Sequence, residues 1–445
     1  MRADAGLASR PAAGGRDQAG GRGLLLLTGA AAAAAAGLLY LTALATHPMS
    51  ATLKGFDLQV YLGGAREALH HPGSVYSWIF EGHPGIQFTY TPFAALVFAA
   101  GLALPFKALM GLAAAASTFA LAATVWIAFR ELGWERTARL GATLLVSGLV
   151  LWTEPVQRAL YLGQVELALM ALVIWDLCQP DRRPWKGAVT GIAAGVKLVP
   201  LLFIAYLLFT RRFRQAAVAA AAFAGTVVIG FVALPRASVY WWIDGNFFQA
   251  GRTGFVGDQQ NQSLRGVVTR LAGSVSGAMA PWFVLALLAG AAGLAAAVIL
   301  HRRGLTFAGL MAAALTALLV SPISWDHHWV WIAPGLALII DAGVRAGHAT
   351  RARVAWYALA AAVLLVFAAW PDFWSAKAGL LQGGLINYAP ASSFAHGDNP
   401  RYSEYHWHGL QLIAGNLELL AGAGLFAVIL AAAFRMAGKR RAASR

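Results

Sequence analysis

Apolar residues in this chain gather into unbroken runs of about twenty, the length a helix needs to cross roughly 30 Å of hydrocarbon at 1.5 Å per residue. Inside lipid every backbone polar group must find its partner within the protein, which leaves only helices and closed barrels. Barrel strands would show alternating segments of about ten residues, and these runs do not alternate. Hydrophobic residues make up 59% of the sequence and charged residues only 12%. The fold expected is therefore all-α: a polytopic transmembrane protein of about 12 spans. Their centres fall near residues 34, 96, 118, 145, 169, 198, 224, 290, 313, 335, 362 and 422.

The net charge of +15 is not spread evenly. Basic residues cluster in the N-terminal tail (Arg2, Arg10, Arg16, Arg22), in Arg211-Arg212-Phe213-Arg214, in His301-Arg302-Arg303, in Arg345 to Arg353 and in Lys439-Arg440-Arg441. Loops between spans carry this bias on the cytoplasmic side. It is not the footprint of nucleic-acid binding, and no nucleic-acid partner is expected. With an even number of spans, both termini read as cytoplasmic and the protein as multi-pass in the plasma membrane, in contact with membrane lipids. Residues 1–22 read as a disordered basic tail, 23–435 as a single transmembrane domain, and 436–445 as a second basic tail. The run 23–46 is too long for a signal-peptide core and reads as an uncleaved anchor. A single cysteine, Cys178, excludes an internal disulfide and a multi-cysteine metal site.

On this count a long first loop, about 47–87, lies outside the cytoplasm. Within it Leu58 to Leu69 is apolar at helical spacing with charges opposite, the pattern of a helix lying on the membrane surface. Asp57 sits at or just before its first turn, in a chain with only 19 acidic residues. Two roles fit that place: an N-cap, or a carboxylate available for chemistry. Trp241, Trp242, Trp325, Trp329 and Trp331 fit an interfacial belt. The middle of the chain strains the charge rule, because Arg130 to Arg139 and Arg182-Arg183-Pro184-Trp185-Lys186 fall outside. Breaking the segment 187–209 at Val196-Lys197-Leu198-Val199-Pro200 is one repair, since proline and a mid-span lysine both disfavour a plain helix.

Ionisable groups near span ends usually face a cavity or each other. Lys197 and Arg265 are cations able to hold a phosphate, arginine bidentately and lysine as a point charge. His327 and His328 are too few for a zinc site, with no cysteine partner and no HExxH, and read as hydrogen-bonding or phosphate-contacting side chains. Asn261-Gln262-Ser263 reads as a polar site loop. No P-loop, GxSxG or dinucleotide fingerprint occurs, so neither a metal nor a nucleotide cofactor is expected.

Phe56-Asp57-Leu58-Gln59-Val60-Tyr61, Phe88-Thr89-Tyr90-Thr91-Pro92, Tyr161-Leu162-Gly163-Gln164-Val165-Glu166, Gly195-Val196-Lys197-Leu198-Val199-Pro200 and Asn261-Gln262-Ser263-Leu264-Arg265-Gly266 follow one another in that order. The set resembles glycosyltransferase family 87, the polyprenyl-phosphomannose-dependent α-1,2-mannosyltransferases of actinobacterial envelopes, from about residue 50 to 340. Glu166 stands where many relatives carry asparagine, and the last loop, with Asn399 to Tyr402 and His406 to His408, matches only loosely.

That resemblance implies the GT-C type of membrane fold, an active site outside the cytoplasm and a catalytic acid in the first loop, which carries over to Asp57. Beside it, donor-phosphate contacts are expected at Lys197, Arg265, His327 and His328, which supply positive or hydrogen-bonding groups at the ends of separate spans, and substrate contacts at Tyr61, Tyr90, Gln164, Glu166, Asn261, Gln262 and Asp326. The implied substrates are polyprenyl phosphomannose and a glycolipid acceptor, phosphatidylinositol mannoside first and lipomannan or lipoarabinomannan second. Another polyprenyl-linked sugar fits the same chemistry. A transporter or flippase is the reading from a different class, since it too would explain the spans and the broken helix.

Overall fold

The computed structural model describes residues 15–46, 53–81, 83, 86–347, 349–369, 384–388, 404–405 and 407–443. Residues 399–402 and His406 of the last loop lie outside these. Every named element among the described residues is helical, and the β-pairing consists of isolated bridges such as Asn261 to Trp325. Five helices are long and apolar enough to cross a membrane: Gly21–Thr42, Phe106–Glu131, Phe213–Ala233, Met279–Arg302 and Leu417–Gly438. Glu154–Leu162 and Glu166–Leu177, bent by 113° at Gly163, would make a sixth if taken as one span. The remaining centres expected from sequence fall on shorter helices or, at 198, in the break between two.

In chain order the helices used below are α1 (Gly15–Thr46), α2 (Phe56–His70), α3 (Pro92–Ala99), α4 (Phe106–Glu131), α5 (Arg136–Val150), α6 (Glu154–Leu162), α7 (Glu166–Leu177), α8 (Ala188–Val196) and α9 (Leu201–Phe209). They continue with α10 (Phe213–Ala233), α11 (Leu264–Ala272), α12 (Met279–Arg302), α13 (Thr306–Val320), α14 (Ile332–Arg345), α15 (Thr350–Val366) and α16 (Leu417–Ala443). The first of these begins inside the tail expected to be disordered.

Basic residues from many helix ends meet at one end of the bundle. Arg22 pairs with Glu135 at 3.8 Å, Arg345 donates to the Leu132 carbonyl at 2.6 Å, and Arg130 to that of Cys178 at 3.2 Å. Arg212 donates to Asp181 at 2.5 Å, and Arg303 to the Met436 carbonyl. Thus Arg130–Arg139 and Arg182–Lys186 share an end with the other basic clusters, where a count of plain spans had set them opposite. Two departures from that count account for it. The span expected near 96 is the short α3, which packs on α2 and returns by way of Gly101, against Leu62 and Leu109. The segment 187–209 breaks in the middle, with α8 and α9 entering and leaving on one side.

The break has a local cause. Lys197 takes an extended conformation as the C-cap of α8, and Pro200 is the N-cap of α9. Thr91 donates its hydroxyl to the Gly195 carbonyl near the end of α8. The twelve residues of α7 and the nine of α8 span roughly 18 Å and 14 Å, against roughly 39 Å for the 26 residues of α4. Both are therefore less than half the length of α4. Of the tryptophans expected in an interfacial belt, Trp241 and Trp329 are instead buried in the core.

Candidate active site

Glycine sets the position of the first-loop acid. Gly55 is the N-cap of α2 with φ of 62°, and its N–H donates to the Tyr161 carbonyl at 2.8 Å. A Cβ there would lie 2.7 Å from the Phe106 ring and 2.8 Å from the Met110 sulfur. Gly163, at the bend between α6 and α7, is also left-handed, with φ of 70°, and a Cβ on it would reach within 2.9 Å of the Leu58 Cβ. Only residues without a side chain let the start of α2 sit against that bend. Asp57 is consequently in the first turn of α2, one of the two places expected for it. It makes no cap; its carboxylate accepts a hydrogen bond from the Gln164 side-chain amide.

Gln164 in turn accepts from the Tyr61 hydroxyl at 2.5 Å, and Tyr61 and Tyr90 share a hydrogen bond at 2.8 Å. Next to them Lys197 pairs with Glu166, lies 3.1 Å from Nε2 of His328 and 3.4 Å from the Tyr90 hydroxyl. Burial, followed by the neighbouring charges of Lys197 and His327, holds the His328 ring well below its ordinary pKa. Asp326 accepts from Nδ1 of His327 at 3.0 Å, and its second oxygen lies 3.4 Å from Arg158. Burial opposes its ionisation, but Arg158 and His327 outweigh that and keep its carboxyl below the usual range. Asp57 behaves in the opposite way. Burial raises its pKa, and His327, the Gln164 amide, Lys197 and Arg158 only partly offset the rise.

Asp57, Tyr61, Tyr90, Gln164, Lys197, Arg265, His327 and His328 all line one cavity of about 1100 Å³. This is large enough for more than a single small ligand. Glu166, Asn261, Gln262 and Asp326 are not in its wall. Asn261 and Gln262 are fully buried and spend their amides on the backbone: Asn261 on Val256 and Ser324, Gln262 on Gly415 and Leu419. They staple the loop before α11 to the segment 321–326 and to α16. Arg158, which the sequence reading passed over, does line the cavity. Its local signal is an arginine four residues after Glu154, on the same face of the short, largely buried α6.

Glu166, His327 and His328 bring three ligand-type atoms within 4.8 Å of one another, a grouping that sequence spacing did not reveal because Glu166 comes from a distant helix. Lys197 is already bonded to two of the three, so a cation side chain sits where a metal ion would. The donor set fits an internal ion pair better than a metal.

A carboxylate held by one amide, with lysine, arginine and histidine around one large cavity in a chain of apolar helices, is a set of groups suited to group transfer. The sequence profile of glycosyltransferase family 87 matches residues 88–322. The chain belongs to that family, and it is a glycosyltransferase rather than a transporter. A Mycobacterium tuberculosis (strain CDC 1551 / Oshkosh) protein named polyprenol-phosphate-mannose-dependent alpha-(1-2)-phosphatidylinositol pentamannoside mannosyltransferase is 35% identical over 297 residues, 65% of this chain and 67% of its own. Its namesake from Mycolicibacterium smegmatis is 32% identical, over 72% of this chain and 78% of its own. A Mycobacterium tuberculosis (strain ATCC 25618 / H37Rv) protein named polyprenol-phosphate-mannose-dependent alpha-(1-2)-phosphatidylinositol mannoside mannosyltransferase is 32% identical, over 69% and 75%. No solved structure matches the chain.

Proposed function

We propose that this enzyme transfers mannose from polyprenyl phosphomannose to a hydroxyl of a phosphatidylinositol mannoside, forming an α-1,2 linkage with inversion at the anomeric carbon. The observation that carries the reading is the Asp57 carboxylate, lining the cavity and fixed by Gln164. The names of the relatives support the donor and the acceptor class.

A glycosyl phosphate brings its own leaving group, so the reaction needs a base and no strong acid. The acceptor oxygen bonds to C1 as the C1–O bond to phosphate breaks, and the hydroxyl proton passes to Asp57. Charge builds on the departing phosphate, where Arg265 and, through exchange of its Glu166 partner, Lys197 stabilise it. The transition state is oxocarbenium-like, as in glycoside chemistry. A neutral His328 supplies a hydrogen bond rather than a charge.

In the same reading the fold is of GT-C type, the basic end and both termini face the cytoplasm, and the cavity opens on the outer side of the plasma membrane. The test is incubation of the purified protein with radiolabelled polyprenyl phosphomannose and defined phosphatidylinositol mannosides. An alkali-stable mannolipid with a new α-1,2 linkage is expected. Label transfer from a nucleotide sugar and none from the prenyl donor would overturn the reading.

A further inference from the structure

The Asp57 cavity is not closed on all sides by protein. Part of its wall consists of Phe247 and Phe248 from the loop after α10 and of Met279, Trp282 and Phe283 from the start of α12. Several of these also face outward: Phe248 is 78% exposed, Phe283 62% and Met279 44%. On α12 they open a stripe at helical spacing, Met279, Phe283 and Leu287, the last 64% exposed, which runs from the cavity mouth along the membrane-facing side.

Two polar groups stand at this apolar mouth. Arg265, only 6% exposed, lies with its guanidinium 4.9 Å from the Trp282 ring centre. Its Nε and the indole Nε1 of Trp282 are buried with no hydrogen-bond partner among the described residues. An unmet donor in a wall bordered by hydrocarbon is costly unless a ligand supplies the acceptor. Phosphate oxygens are such acceptors, and arginine binds them with geometric preference.

We propose that the prenyl chain of a polyprenyl-phosphate substrate leaves the cavity between Phe248 and Phe283 and lies along the Met279–Phe283–Leu287 stripe of α12, while Arg265 and Trp282 donate to its phosphate. This rests on the prenyl-linked donor read above, and adds Trp282 as a binding residue and α12 as the lipid-facing exit. A second apolar crevice, of about 580 Å³ among α13, α14, α15 and α16 and lined in part by Trp329, Leu336, Val363 and Val428, is the rival place for a tail. Its lining residues are different from those of the Asp57 cavity.

The test places p-benzoylphenylalanine singly at Phe248, Phe283 and Val428 of the full chain in vesicles, with tritiated undecaprenyl phosphate as the probe. Crosslinking at the first two positions, about fivefold or more above Val428, is expected. Labelling at Val428 with background at the other two would overturn the route. In turnover, Phe283→Ala should raise KM about tenfold for a full-length prenyl phosphomannose and by clearly less for a ten-carbon donor. Trp282→Phe, which keeps the ring and loses the donor, should raise KM for both. An equal rise for the two donors in Phe283→Ala contradicts the tail's path. Crosslinking without any mannosyl turnover would count against the sugar assignment alone, and turnover without crosslinking at Phe248 or Phe283 against the route alone.

Discussion

The side-chain amide of Gln164 donates to the carboxylate of Asp57, two residues 107 positions apart in the chain. The Tyr61 hydroxyl, donating to the other end of that amide at 2.5 Å, fixes which way it points. With Gln164 orienting the carboxylate from one side, the rest of Asp57 is left to face the cavity.

Asp57→Asn replaces an acceptor by an amide of the same size. Transfer is expected to fall by about 100-fold or more, with thermal stability within about 1 kcal/mol of the parent. Turnover assays alongside a melting curve check this, and a variant keeping a tenth of the rate would remove Asp57 from the chemistry.

A base must be ionised to act, and burial holds the Asp57 pKa above that of an ordinary carboxylate. The rate should therefore be full above that raised value and decline as pH falls through it. Lys197 is among the groups that lower it, so Lys197→Met should move the acidic limb of the kcat/KM profile to higher pH. An unmoved limb would show that another group sets the profile.

Lys197 and Glu166 form a mostly buried pair. Removing one partner strands the other, a loss on the order of 3 kcal/mol. Lys197→Met is expected to lower the denaturation midpoint more than Lys197→Met combined with Glu166→Leu. Donor use should stay poor in both, because neither restores a cation. Equal midpoints would show that the pair contributes nothing to folding.

Gly55→Ala puts a Cβ into a left-handed backbone position and against Phe106 and Met110. The backbone strain alone costs roughly 1–2 kcal/mol. Loss of activity together with a lower melting temperature is the expected result; full activity would mean that the α2 start tolerates being displaced.

Single cysteines at Ser77 and Arg183, both exposed and at opposite ends of the bundle, test sidedness in a Cys178→Ala background. A membrane-impermeant maleimide added to intact spheroplasts should label the first and spare the second. The reverse pattern would place the cavity toward the cytoplasm.

Much of the site was legible in the sequence because it lies where the membrane code is broken: an acid after the first span, a lysine with proline inside an apolar run. Periodicity and charge identify such places without knowledge of contacts. Arg158, Trp282 and the pairing of Glu166 with Lys197 were not legible, since each depends on which helices meet. Asn261 and Gln262 look like substrate ligands for the same reason that they are not in the cavity wall. A polar motif in a loop reads alike whether its amides serve a ligand or a neighbouring backbone. The meeting of the middle basic clusters with the others was not legible without two facts, the return of α3 onto α2 and the break between α8 and α9.

The contact of Gly55 with the Gly163 bend also bears on when the enzyme can act. Asp57 rides on α2, whereas Gln164, Lys197 and Arg265 belong to other segments, the bend after α6, the break after α8 and the start of α11. The bond between Gln164 and Asp57 requires those separately placed segments to close on one another at two residues lacking side chains. Under the mechanism proposed above, a chain still being inserted, with α2 undocked, would hold cations for a lipid phosphate and no base for the acceptor's proton, so competence for transfer would come only with completed assembly.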